Sequence, residues 1–177
     1  MSSLVRLRWM VTSCAGAALV PALLSAQTAA PRPDCKAAEY RQFDFWLGDW
    51  NVTTGPNQAG TNLITLTLDG CVLHEHWAGA KGGRGESFNY YDRDDRQWHQ
   101  LWVDNSGGTI ELAGTLHDGT MVLVGSGKDQ SGNPVLNRIA WIDNPKDGSV
   151  RQLWEQSSDN GKTWQPAFDG LYRKKSS

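Results

Sequence analysis

The chain has 177 residues, with 17 lysines and arginines against 19 aspartates and glutamates and a net charge of −2 with histidine neutral. That length makes one domain the default. The acidic balance, with no basic run before the terminal Arg173-Lys174-Lys175, argues against nucleic-acid binding.

The start of the chain reads as a secretory signal peptide over residues 1–26. Arg6 and Arg8 form its basic region, Val11 to Leu24 is largely apolar but too short to span a bilayer, and small residues lead to a cleavage site after Ala26. Cys14 precedes most of the apolar run, which is the wrong order for a lipoprotein site. Residues 27–34 read as a flexible leader. Residues 35–175 read as a single exported domain, periplasmic or secreted. Beyond the signal peptide the chain carries 15 basic and 19 acidic residues and no second apolar segment long enough to span a membrane. Two cysteines remain there, Cys35 and Cys71, and suggest a disulfide in an oxidising compartment. The bond would close a loop of about 36 residues, worth ~3–4 kcal/mol in the loop-entropy model; two free buried thiols are the other reading.

One segment reads as helix: Lys36 to Leu47, with Asp34 able to cap it and Gly48 placed to end it. After Gly48 the period changes to two and turn residues recur, as at Gly55-Pro56-Asn57, Asp69-Gly70, Asp118-Gly119 and Asp159-Asn160-Gly161. The strands expected between the turns are 49–54, 61–68, 71–78, 86–91, 97–103, 109–116, 120–126, 135–142, 150–157 and 163–174. Ten short strands with short links make an all-β antiparallel meander. Closure into an up-and-down barrel, with the short N-terminal helix against it, would remove the two exposed edges; a two-sheet sandwich is the alternative. Ser157 to Trp164, SSDNGKTW, matches the Asp-box pattern Ser-x-Asp-x-Gly-x-Thr-Trp that sialidases carry in repeats. Its chemistry is turn-making: Asp159 accepts from its own turn, and Gly161 supplies a positive φ.

Eight of the nine tryptophans come after the leader, and core packing alone accounts poorly for their neighbours. Trp98, Gln100, Trp102 and Asp104 alternate along one strand face. Flat apolar walls with a few polar groups suit a ligand pocket. Glu75 and Trp77 lie on a second such face, Asn89 and Tyr91 on a third, and Gln152 and Trp154 on a fourth. Arg138 stands mid-strand among apolar residues, where its charge must be paired or solvated. It could meet Glu75 or Asp104 inside the barrel, meet an anionic ligand group, or form an ion pair at the rim. The candidate ligand-binding residues are therefore Glu75, Trp77, Asn89, Tyr91, Gln100, Trp102, Arg138 and Trp154. His74 and His76 share the face opposite Glu75, but no third ligand at matching spacing accompanies them, so no metal is assigned. No Gly-x-Ser-x-Gly elbow or P-loop is present, and the glycines of KGGRGE open no helix.

Gly48-Asp49-Trp50 resembles the Gly-x-Trp at the first strand of lipocalins and related calycins. That resemblance implies that Trp50 closes one end of a barrel with a basic residue of the last strand, Arg173, across it. The wider set FDFWLGDWNV, LDGCVLHEHW, WHQLWVDNSG, RQLWEQSSDNGKTW and FDGLYRK resembles a secreted bacterial family of unknown function over nearly all of residues 35–174. Such proteins are similar to the ten-stranded calycin barrels, among them fatty-acid-binding proteins and the haem-binding nitrobindins. The resemblance implies a barrel with an internal cavity and supplies no activity. A haem would need a histidine inside the barrel, and none here matches a nitrobindin motif, so no cofactor is assigned and haem stays a minority alternative. The expected function is binding of a small apolar or amphipathic molecule. The alternatives are an enzyme using Glu75 or Asp104 as general acid or base, and an interaction module with a filled barrel.

Overall fold

The computed structural model describes residues 35–129 and 131–176. The expected signal peptide, the leader and the cap at Asp34 lie outside them. All ten strands form: β1 (Gly48–Thr54), β2 (Asn57–Thr67), β3 (Val72–Gly79), β4 (Arg84–Asp92), β5 (Gln97–Asp104), β6 (Thr109–His117), β7 (Thr120–Lys128), β8 (Pro134–Asn144), β9 (Ser149–Ser157) and β10 (Gln165–Lys174). Each pairs antiparallel with its sequence neighbour, and β1 pairs with β10 to close a barrel, compatible with a calycin-like fold. Closure satisfies the backbone groups that a sandwich would leave at its edges. Pro166, which cannot donate to a ladder, sits where the β9–β10 register slips.

The first four strands show the alternation clearly. Trp50 and Val52 of β1, Asn62 and Ile64 of β2, Leu73 and Glu75 of β3, and Ser87 and Asn89 of β4 are buried inside, and their neighbours face out. Close approach inside depends on small residues. A Cβ on Gly85 would lie 2.2 Å from the Trp102 ring and 2.8 Å from the Val103 carbonyl oxygen, so the ring occupies the space a side chain would take.

The segment expected as an α-helix is instead two short 3₁₀ turns, Ala38–Arg41 and Asp44–Trp46. The difference follows from side-chain spacing. Tyr40, Phe43 and Trp46 recur every three residues and all three are buried. A three-residue turn stacks such positions on one side, whereas an α-helix would rotate them apart. The segment is tied to the barrel by the Cys35–Cys71 disulfide. It drives an aromatic plug into one end, where the Phe43 ring lies 5.1 Å from Trp46, 5.6 Å from Trp98 and 5.2 Å from Trp141 between centroids. Trp50 is fully buried there and donates from Nε1 to the Trp46 carbonyl oxygen at 2.9 Å.

The basic residue across Trp50 is Lys174, with Nζ 5.4 Å from the ring, and not Arg173. Trp50 is the β10 partner of Lys174, whereas Arg173 pairs with Asn51, faces outward, and reaches Asp147 at 3.5 Å. The β2–β3, β4–β5, β6–β7 and β8–β9 connections share the plugged end, and the other five connections surround the opposite end. No helix among the described residues is long and apolar enough to cross a membrane.

Candidate functional site

Toward the unplugged end the interior opens into a cavity of about 210 Å³. Trp77, Trp102, Trp154 and Phe168 form walls, with Ile110 and Ile139 beside them; Glu75, Gln100, Gln152 and Tyr172 supply polar groups, and Asp104 stands at the end of β5. Ten strands enclose more room than the eight that side chains just fill, so the aromatic plug fills one half and leaves the other half open.

Between plug and cavity lies a layer of buried polar side chains. The Glu75 carboxyl accepts from Asn62 Nδ2 at 2.7 Å and from Ser87 Oγ at 2.5 Å. Asn89 Nδ2 donates to Ser87 Oγ at 2.8 Å and to the Leu73 carbonyl oxygen at 3.2 Å. Gln100 Nε2 donates to Asn89 Oδ1 at 2.9 Å. On the other side of Glu75, the Tyr172 hydroxyl donates to Gln152 Oε1. Burial dominates the electrostatics. It raises the Glu75 carboxyl to about 7 against the opposing pull of the Ser87 and Asn62 donors. Burial, with the Glu75 charge second, pushes the Tyr172 hydroxyl well up. Among the described residues no lysine or arginine lines the cavity, and Asn62 Oδ1 is a buried acceptor without a partner.

Of the eight candidate ligand-binding residues, Glu75, Trp77, Gln100, Trp102 and Trp154 line the cavity. Asn89 points inward but lies within the polar layer, where its amide is engaged by neighbours at both ends. Tyr91 is nearer the plug, 5.3 Å from the Tyr40 ring and 6.3 Å from Trp98. Arg138 is not in the interior and meets neither Glu75 nor Asp104. Asn137 and Ile139 take the inward positions of β8, so Arg138 faces out, pairs with Glu155 at 2.7 Å and covers the Trp164 ring at 4.1 Å.

Asp104 borders the cavity but is occupied by its own turn. It accepts from the Ser106 hydroxyl at 2.6 Å and from the amides of Ser106 and Gly108 at 2.8 and 2.9 Å, the hydroxyl first among the contacts that hold its carboxyl low. The Asp-box closes the β9–β10 turn: Asp159 accepts from the Thr163 amide at 2.8 Å and its hydroxyl at 2.6 Å, with Gly161 at φ +84°. Sequence reasoning missed Phe168, Tyr172, Ile110 and Ile139 in the lining, and Asn62 and Ser87 beside Glu75. Tyr172 and Phe168 were reachable from the alternation of β10, which places them on the face of Gly170.

All four histidines lie off the interior: His74 and His76 outward on β3, His99 outward on β5 beside Asp95, and His117 at the end of β6. The interior therefore offers no imidazole as an axial haem ligand. No protein-family model matches the chain, and no curated protein aligns with it.

Proposed function

We propose that the barrel binds a small amphipathic molecule whose apolar part lies between Trp77, Trp102, Trp154 and Phe168 and whose polar end, a hydrogen-bond donor or an amine, reaches Glu75. The observation that carries this reading is the charge of the lining: indole faces, neutral amides and two carboxylates, with no basic side chain among the described residues. Cations favour aromatic faces and carboxylates, whereas an anionic head group would have no partner there. At about 210 Å³ the cavity falls below the ~300–1,000 Å³ usual for drug-sized ligands, which favours a single-ring or short-chain compound over a long acyl chain. The Cys35–Cys71 bond supports an exported protein.

Benzylamine, benzyl alcohol and benzoate share one ring and differ in head-group charge. In an NMR titration the first two are expected to shift the indole signals of Trp77, Trp102 and Trp154, with benzoate binding at least tenfold more weakly. Preferential binding of benzoate, or no shift at the cavity indoles with any of the three, would overturn the reading.

A second reading rests on Glu75 alone. A carboxyl raised to about 7 inside a cavity is suited to proton transfer near neutral pH. Asp104 is less suited, because its turn holds it ionised. An activity screen against small esters, amides and hydroxy compounds tests this; any turnover that survives Glu75→Gln unchanged rules out Glu75 as its acid or base.

A further inference from the structure

We propose that His74, His76 and Glu86, on the outer wall of the barrel, form a site for a divalent transition-metal ion of the zinc or copper kind. Strand alternation turns both imidazoles outward from β3, and their rings stand 4.0 Å apart between centroids. The third ligand comes from β4, where Glu86 is the direct cross-strand partner of His76. Its carboxylate reaches both rings, with Oε2 3.0 Å from His74 Nε2 and Oε1 3.5 Å from His76 Nδ1. One donor atom from each residue falls within 4.8 Å of the others.

A tetrahedral ion with bonds of ~2.0–2.2 Å holds its ligand atoms roughly 3.3–3.6 Å apart. The three side chains thus need only small rotations to close on a metal, and the strand backbone need not move. The His74 ring is already held, stacked on Phe88 at 4.5 Å and 12°. The donor set, two imidazoles and one carboxylate, selects zinc, copper or nickel over magnesium or calcium, which take oxygen ligands. The carboxylate side chain is 54% exposed and His76 43% exposed, so a hydrated ion can reach them, and a fourth position is left for water. Arg84, two residues before Glu86 on the same strand face, is the basic neighbour that opposes the ion's charge. The site is on the opposite side of the β3 wall from Glu75 and is independent of any ligand in the cavity.

Isothermal titration of tag-free protein, disulfide intact, with Zn²⁺ and separately with Cu²⁺ tests the site, with Mg²⁺ as control. One ion per chain is expected for zinc and copper and none for magnesium. His74→Ala and His76→Ala should each weaken binding at least tenfold, and Glu86→Gln should also weaken it. His99→Ala, which removes one potential ligand of the separate Asp92, Asp95 and His99 group, should leave binding unchanged. Because all these positions are on the surface, circular dichroism should report the same fold for every variant. Absence of zinc and copper binding in the native chain, full binding in the His74→Ala/His76→Ala double variant, or loss of binding in His99→Ala would each overturn the proposal.

Discussion

Glu75→Gln tests the physics of the interior without reference to any ligand. The amide keeps the shape of the side chain and removes its ionisation. Raising a carboxyl from 4.5 to about 7 disfavours its charged form by about 3 kcal/mol in the folded protein. The direction is opposite to that of a salt-bridged carboxylate. The folded state holds the Glu75 proton more tightly than the unfolded chain, so stability rises as pH falls from about 7 towards 4.5. Between pH 8 and pH 5 this single group is expected to add roughly 2–3 kcal/mol, and Glu75→Gln should lose that increment. Urea unfolding of both proteins at pH 5, 6, 7 and 8 gives the difference. Every other residue is common to the two proteins, so position 75 is the group that varies in the comparison. A stability difference that stays constant across the four pH values would refute the claim that burial controls this carboxyl.

Four further outcomes are expected from the geometry. Replacing Cys35 and Cys71 together by serine should lower stability by about 3.8 kcal/mol, from the separation of 36 residues in the loop-entropy relation, as read by denaturant unfolding. Gly85→Ala should displace the Trp102 ring, because its Cβ would fall 2.2 Å from it; the expected loss is ~1–3 kcal/mol, with benzylamine binding reduced in the same NMR titration. Arg138→Ala should leave benzylamine binding unchanged and cost about 1–2 kcal/mol in denaturant unfolding, from its pair with Glu155 and its contact with Trp164. Benzylamine affinity should tighten as pH rises from 6 to 8, since the ammonium prefers the ionised form of Glu75, and titrations at both pH values check this.

Ten strands are legible in the sequence because β-branched and aromatic runs alternate between turns of glycine, asparagine and aspartate, and closure resolves the problem of two free edges. Sequence misleads where strand phase or register decides. Arg138 reads either as an interior ligand contact or as an ion pair, and Arg173 as the residue across Trp50, yet in each case the neighbouring residue, Ile139 or Lys174, is the one that points there, and Arg138 takes the ion pair, with Glu155. Both faces of β8 mix polar and apolar residues, so composition alone does not set its phase. Glu86 does not stand out as a partner of His74 and His76, because cross-strand pairing depends on the exact β3–β4 turn, Ala80 to Gly83. The 3₁₀ plug is hidden by good helix formers early in the segment, although the three-residue spacing of Tyr40, Phe43 and Trp46 is there to be read.

The interior is arranged in three layers whose energetics differ. The plug buries Phe43, Trp46, Trp50, Trp98 and Trp141, which are among the largest fully buried side chains of the fold. The polar layer works against stability, because Glu75 is buried without a cation and Asn62 Oδ1 without a donor. Filling those positions with apolar side chains would close the space beneath the cavity and remove both penalties. A fold needing only to be stable would gain from that replacement, since the disulfide and plug already close the barrel's other end. Glu75 instead lines the cavity, with Trp77, Trp102 and Trp154, and Asn62 stands directly behind it at 2.7 Å. A buried carboxyl without a cation, facing a cavity, is one way binding and catalytic sites differ from the core around them. A ligand that donates to Glu75 would recover part of the stability that burying this carboxyl costs.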